Sequence, residues 1–253
     1  MELGKVGGLV GVVVLVLGVL FGGYLGFGDE GGSEGIRVAS FNGQIFGDSK
    51  IEKIGVDYYV DLVRGYDLFF LLEIRDKDGS SFDEVCSALA SYNYSCLVSE
   101  RAGRGISKEQ VGVVWRDEIN VTGFGEVDDE LDLFEREPFW VEFSFSDDRF
   151  YVVHLKPDDV VGEMGALEEI VGESDTVLIG DFNADCDYYD AVEETHFDSW
   201  NWVIGDDVDT TTGATDCAYD RVVVSGDVGV LGSGVVEISE DVSDHHLVWV
   251  ELG

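Results

Sequence analysis

Val177-Leu-Ile-Gly-Asp-Phe-Asn-Ala-Asp-Cys186 is the stretch from which the rest of the chain is best read. Its first four residues form a short apolar or small run, the pattern of a strand buried in a sheet. That strand delivers Asp181 and Asn183 to its end. A carboxylate suits a hard metal ion and an amide suits a phosphate oxygen. Sheet enzymes place their chemistry where strands end in turns. An ordinary Asp/Asn turn after a buried strand would look the same locally, so the reading depends on what the flanking sequence supplies.

Working outward, the pattern recurs. Residues 36–41 alternate as a strand ending at Asn42, and 67–73 is a continuous apolar run ending at Glu73. Strands are predicted at 110–116 after Glu109, at 139–145, at 150–154 ending on His154, at 219–225 carrying Asp220 near its start, and at 246–252 after Asp244-His245. Helical spacing covers 51–63 and 160–171, and Ser81-Phe-Asp-Glu84 has the form of a capping box opening a helix to about residue 91. The expected class is α/β of the mixed (α+β) kind: a four-layer sandwich of two packed, mainly antiparallel β-sheets flanked by helices.

Residues 6–28 are uncharged and dense in Val, Leu and Gly, with Lys5 in front. A helix of this length spans a bilayer core of about 30 Å. Residues 1–28 therefore read as one N-terminal transmembrane helix, a signal anchor; a cleaved signal peptide is the alternative. Residues 29–35 form a flexible Gly- and acid-rich linker, and 36–253 a single domain. Lys plus Arg number 15 against 53 Asp plus Glu, a net charge of −38 spread over the whole domain. Such charge repels itself in dilute buffer and is screened in concentrated salt, so the composition resembles that of proteins working at high salt. It argues against ordinary nucleic-acid binding through a basic face. Cys86, Cys96, Cys186 and Cys217 include no C-x-x-C pair, which disfavours a zinc site, and an even count behind an export signal suggests two disulfides. The sequons at Asn93 and Asn120 fit an external domain.

The polar residues at strand ends make a chemical set. Taken singly, Asn42 could cap a turn, Glu73 could pair with Arg75, and His154 could be a hydrogen-bonded core histidine. Their coincidence suits metal-assisted phosphodiester hydrolysis. Asn42, Glu73, Asp181 and Asp244 offer oxygen ligands to a cation such as Mg²⁺, which would withdraw charge from the phosphate. Two imidazoles could serve as acid and base, each oriented by a carboxylate.

Ile36-Arg-Val-Ala-Ser-Phe-Asn42, Leu72-Glu-Ile-Arg-Asp76, Lys108-Glu-Gln110, Phe134-Glu-Arg-Glu-Pro138, Gly180-Asp-Phe-Asn-Ala-Asp-Cys186, Cys217-Ala-Tyr-Asp-Arg221 and Ser243-Asp-His245 together resemble the deoxyribonuclease I branch of the endonuclease/exonuclease/phosphatase superfamily. The likeness runs in order from about residue 36 to 252. It implies a Mg²⁺/Ca²⁺-dependent deoxyribonuclease in which Glu73 binds catalytic Mg²⁺ with Asn42, Asp181 and Asp244 nearby. Glu109 would support His154 and Asp220 would support His245, either histidine being the acid. Asn183 would hold the scissile phosphate, and Arg75 and Arg136 would contact DNA. Asp209, Thr211 and Thr215 match a structural Ca²⁺ loop of the family. Asp132, the Phe134 carbonyl and Glu137 match part of a second, with Asp128 a candidate for its remaining ligand. Cys186 and Cys217 match the family's disulfide; Cys86 and Cys96 have no counterpart and pair only by count and external location. Where the family has a tyrosine that stacks in the minor groove this chain has Ser107, and a neighbouring polar contact is Gly105.

The expected protein is thus a monomeric DNA endonuclease domain held at the outer face of the cell membrane, or secreted if the N-terminal segment is cleaved. Competing readings are another superfamily phosphodiesterase acting on phospholipid head groups, and a catalytically silent, calcium-stabilised surface module.

Overall fold

A computed structural model describes residues 35–172, 174–190 and 194–253. The expected anchor and nearly all of the linker, residues 1–34, lie outside the described residues; among the described residues no helix is long and apolar enough to cross a membrane.

Two six-stranded sheets pack face to face. The first contains β1 (Ile36–Phe46), β2 (Leu68–Ile74), β3 (Tyr94–Val98), β4 (Gln110–Arg116), β11 (Val230–Val236) and β12 (Leu247–Leu252), in the order β11-β12-β1-β2-β4-β3. The second contains β5 (Val121–Glu126), β6 (Phe139–Phe143), β7 (Arg149–His154), β8 (Thr176–Asp181), β9 (Asn201–Trp202) and β10 (Asp220–Val224), in the order β5-β6-β7-β8-β10-β9. β1–β2 and β7–β8 pair in parallel and the remaining pairs are antiparallel. The helices α1 (Asp48–Ile54), α2 (Val56–Val63), α3 (Ser80–Leu89) and α4 (Val160–Ile170) lie on the outer faces.

The apolar strands are buried on both sides, which explains their unbroken hydrophobicity. In β2, Leu68, Phe70 and Leu72 enter the core between the sheets, while Phe69 and Leu71 meet Tyr59, Val60 and Val63 of α2 and Phe82 and Val85 of α3. In β8, Val177 and Ile179 face inward, and Leu178 packs beneath Val160, Met164 and Leu167 of α4. Each such side chain taken out of water contributes roughly 1.5–3 kcal/mol.

The structure departs from the sequence expectations locally. The helix expected over 51–63 is two helices, broken at Gly55 with φ 93°. Ser81 does not cap α3: Gly79 is the N-cap, and the Ser81 hydroxyl donates to Asp48 Oδ1 at 2.8 Å. Nearby acids outcompete the helix end for that hydroxyl. Four strands, β3, β5, β9 and β11, went unpredicted, and all four are sheet edges. Glycines interrupt two of them because an indole lies across the strand. A Cβ at Gly123 or Gly125 would stand 3.2 or 3.3 Å from Trp140, and one at Gly234 3.0 Å from Trp249.

Gly180 has φ 140°, and a Cβ there would stand 2.1 Å from the Val153 carbonyl oxygen on β7. Gly180→Ala is therefore expected to lower stability by about 3 kcal/mol or more and to displace Asp181. Gly226→Ala, with nothing within 4 Å, is the control. Equal urea midpoints for the two variants would contradict the close approach.

Candidate active site

Three adjacent strand ends set the site. In the ladder of the second sheet, Asp181 on β8 faces His154 of β7 on one side and Asp220 of β10 on the other. The last turn of chain before β12 brings His245 back over them. Two imidazole–carboxylate pairs result. His154 Nδ1 lies 2.5 Å from Glu109 Oε1, and His245 Nδ1 lies 2.7 Å from Asp220 Oδ2. The Nε2 edges of the two rings converge on one oxygen, Asp181 Oδ2, at 3.5 and 3.6 Å. The first sheet reaches the same oxygen through Asn42, whose Nδ2 donates to it at 2.9 Å.

Asn42 is the last regular partner in the β1–β2 ladder before a bulge, where Gln44 and Ile45 have φ 46° and 60°. Glu73 itself has φ 58°. Such left-handed non-glycine residues cluster at functional sites. The bulge lets the Ile45 amide donate to Glu73 Oε2 at 2.8 Å, while Asn42 Nδ2 stands 3.4 Å from Oε1.

Charge is the dominant property of the cluster. For His245, burial alone would lower the pKa, but Asp220 and Asp181 raise it to about 10. Burial opposes the charge of His154 too, and Glu109 and Asp181 again reverse it, so its pKa is raised. Burial pushes Asp220 up to about 6 despite the favourable His245. Asp181 goes the other way: burial would raise it, and the two imidazoles hold it below the ordinary carboxylate range.

The residues expected to hold Mg²⁺ are partly assembled. Asn42, Glu73 and Asp181 form one hydrogen-bonded group; Asp244 joins it from the solvent side, 3.7 Å from His245 Nε2, with its side chain 54% exposed. Glu73, Glu109 and His154 also bring ligand atoms within 4.8 Å of one another. Glu109 and His154 are engaged with each other, which leaves Glu73 as the member of that group with no histidine partner. Five carboxylates against two imidazoles, Arg75 and Arg136, the last 3.4 Å from Glu109, make a donor set that fits a hard divalent cation.

Among the expected DNA contacts, Arg75 Nη1 lies 3.6 Å from Glu73. Arg136 donates Nε to the His154 carbonyl at 2.9 Å and Nη2 to the Leu155 carbonyl at 3.1 Å, bracing the backbone beneath His154, and its Nε also lies 3.4 Å from Glu109 Oε1. Asn183 donates Nδ2 to the Leu155 carbonyl at 2.9 Å. Gly105 and Ser107 lie on an exposed loop closed by the Ala102–Glu109 bridge.

The Asp209 loop is compact. Asp209 Oδ1 accepts from the Thr211 amide at 2.9 Å and the Thr211 hydroxyl at 3.0 Å, and that hydroxyl stands 2.6 Å from the Thr215 carbonyl. In the second expected Ca²⁺ group, Asp132 is ion-paired with Arg104 at 2.9 Å, and Asp129 rather than Asp128 accepts the Leu133 and Phe134 amides, each at 2.8 Å. Glu137 lines a cleft with Glu109, Arg136 and His154. Cys186–Cys217 and Cys86–Cys96 are both bridged.

Sequence reading missed three supporting residues. The Thr210 hydroxyl accepts the Asp220 amide at 3.0 Å. The Ser243 hydroxyl donates to the Asn42 carbonyl at 2.7 Å and accepts the His245 amide at 3.1 Å. Arg221, fully buried, donates to the carbonyls of Ala184 and Ile204 and pairs with Asp206. A cation inside the apolar strand Asp220–Val224 was its signal. The other histidines serve elsewhere: His196 pairs with Glu168, and His246 accepts the Ile238 amide.

Two packed sheets with two carboxylate-backed imidazoles at one end define a hydrolase of the two-sheet sandwich class. Residues 45–245 match the endonuclease/exonuclease/phosphatase family. Deoxyribonuclease-1 of Gallus gallus is 36% identical over 218 residues, 76% of this chain and 77% of that protein. Deoxyribonuclease-1 of Homo sapiens is 33% identical over 222 residues, 77% and 79% of the two chains. The solved endonuclease/exonuclease/phosphatase from Bacteroides vulgatus superposes with TM-score 0.64 at 19% identity, covering 86% of this chain and 98% of that one. The chain belongs to the endonuclease/exonuclease/phosphatase family, as a deoxyribonuclease I-like member.

Two measurements test this geometry. A histidine whose folded pKa is raised stabilises the fold fully below its unfolded value of about 6.5 and loses that contribution as pH rises through the folded value. In metal-free protein, His245 should therefore titrate by NMR near 10, with stability falling on that alkaline limb. Asp220→Asn should move both downward. An ordinary imidazole midpoint in the unsubstituted protein would contradict the pairing. Replacing Cys186 and Cys217 together by Ala should cost about 3 kcal/mol, from reopening a long loop in the unfolded chain. An unchanged urea midpoint would show that the bridge contributes nothing.

Proposed function

We propose that this protein is a divalent-metal-dependent endonuclease that hydrolyses phosphodiester bonds of DNA, displayed outside the cell and adapted to high salt. The observation that carries the reading is the convergence of two imidazoles, each with Nδ1 on a buried carboxylate, on the single Asp181 oxygen. With Nδ1 fixed, each ring presents only Nε2 to the cleft. One ring can take the proton of an attacking water while the other gives a proton to the leaving 3′ or 5′ oxygen. A silent module has no use for two such pairs, and the similar deoxyribonucleases supply the substrate class.

Glu73 would hold Mg²⁺, with Asn42, Asp181 and Asp244 nearby, and the ion would withdraw negative charge from the phosphate. Asn183, braced on Leu155, would orient a phosphate oxygen, and Arg75 would meet a flanking phosphate. Ca²⁺ at Asp209, Thr211 and Thr215 would stiffen the loop that carries Thr210 and hence Asp220. Ca²⁺ at Asp132, Phe134 and Glu137 would have to displace Arg104 from Asp132. The two disulfides suit an oxidising, external compartment, and residues 1–28 would attach the domain to the membrane or direct its secretion.

His154→Ala and His245→Ala should each lower plasmid cleavage by about 10²–10⁴ while the melting curve stays cooperative. Near-normal rates in either folded variant would remove that residue from the chemistry. Complete chelation should abolish cleavage, and activity that survives it would refute the metal role.

Melting temperature and nicking rate should both rise from dilute buffer toward molar KCl, because the net charge of −38 repels itself and the DNA, and salt screens both. Ca²⁺ should partly substitute for KCl in stability, since a ligand bound only by the native state stabilises it. Maximal stability and activity in dilute buffer would overturn the high-salt reading.

A further inference from the structure

Among the described residues five charged side chains are buried: Glu109, Asp181 and Asp220 within the site, Arg221 on the carbonyls of Ala184 and Ile204, and Glu163. Glu163 has no part in the chemistry derived above. It lies on α4 in the stripe of Val160, Met164 and Leu167, where an apolar residue would be the ordinary occupant, and it is 1% exposed. Both of its oxygens are engaged: Oε1 accepts the Glu135 amide at 2.7 Å and Oε2 the Lys156 amide at 2.8 Å. Burial raises its pKa, and the two amides and the charge of Arg136 offset this only in part. A charge at that depth is a poor source of net stability. Its distinguishing property is that it fixes two peptide groups at once.

A peptide group is planar, so an amide that is held also holds the carbonyl of the residue before it. The Lys156 amide shares its plane with the Leu155 carbonyl. On that carbonyl two side chains of the site converge, Arg136 Nη2 at 3.1 Å and Asn183 Nδ2 at 2.9 Å. The Leu155 amide in turn donates to the Asp181 carbonyl at 2.9 Å. The Glu135 amide belongs to the segment that delivers Arg136 one residue later. Glu163 therefore ties both sides of the Arg136–Leu155 contact to one helix. If the Leu155–Lys156 plane turned, the Leu155 carbonyl would swing away and deprive Asn183 Nδ2 of its acceptor.

We propose that Glu163 is a positioning residue for phosphodiester hydrolysis: by holding the Leu155–Lys156 peptide plane, its carboxylate fixes the Leu155 carbonyl and, through it, the Asn183 amide that orients the phosphate. This assignment rests on the DNA-hydrolysis reading above. Glu163 is buried and touches neither substrate nor metal. Its loss acts by misplacing a group that does, and a displacement of about 1 Å can cost about 10²-fold in rate.

The test compares Glu163→Gln, which keeps the volume and replaces one acceptor oxygen by a donor, alone and combined with Asn183→Ala. In plasmid nicking with Mg²⁺ in molar KCl, Glu163→Gln should lower kcat about 10- to 100-fold, with KM changed less. On the Asn183→Ala background the same substitution should cost no more than about 2-fold, because the group it acts through is gone. By NMR the side-chain amide resonances of Asn183 should shift in Glu163→Gln while the melting curve stays cooperative. Glu163→Met, of similar volume and without either acceptor, takes its place if Glu163→Gln does not fold. An unchanged kcat, a full multiplication of the two losses in the double variant, or unmoved Asn183 resonances would each overturn the positioning role. So would loss of cooperative melting in both variants, which would mark Glu163 as a folding residue. If the unsubstituted protein nicks no plasmid, the nuclease reading itself fails and the role in hydrolysis with it, whatever the Asn183 resonances show.

Discussion

A single carboxylate oxygen, Asp181 Oδ2, holds the site together. It lies at the junction of the two sheets, almost wholly out of water, and receives Asn42 from one sheet while facing the imidazoles of the other. A lone carboxylate in such a place would protonate rather than remain charged. Here the two imidazoles and the Asn42 amide keep it ionised. The dependence is mutual, since the same charge raises both histidines. Removing any member would leave the others as buried groups without compensation, which is the costly outcome for polar networks.

That mutual dependence also bears on the proposed divalent cation. A ring that is to remove a proton from water must be neutral when it acts, and the surrounding carboxylates favour its charged form. Positive charge beside Glu73 would compete with the imidazoles for the field of Asp181 and Asp244. The acid excess of the site and the chemistry of its histidines are thus both consistent with the proposed hard cation.

The parts of the fold legible in the sequence were those buried on both faces. The runs at residues 68–74 and 176–181 admit few alternatives, and the polar residues that terminate them are placed by strand direction alone. The edge strands were illegible because an edge owes its pairing to its neighbour: β5 and β11 are glycine-interrupted to admit Trp140 and Trp249, a reason visible only across the sheet. The site divides the same way. Asp181, His154, Glu109 and Asp220 could be placed at strand ends, and the assignment of each supporting carboxylate to its histidine came with the family resemblance. Thr210 and Ser243 escaped because a hydroxyl that braces a backbone amide resembles any surface Ser or Thr until the chain is folded. Arg136 was legible as a residue near the site, but not as a brace for the His154 and Leu155 carbonyls.

Acidic side chains do two opposite things in this molecule, and burial separates them. At the surface they repel one another over a range set by the Debye length, which falls to about 3 Å at 1 M salt. Inside, Glu109, Asp181 and Asp220 sit within hydrogen-bond or ion-pair distance of their partners and out of reach of dissolved ions. Concentrated salt can therefore relax the exterior without loosening the imidazole pairs. Cations are scarce in this chain, and three of them, Arg101, Arg104 and Arg136, spend donors on the backbone.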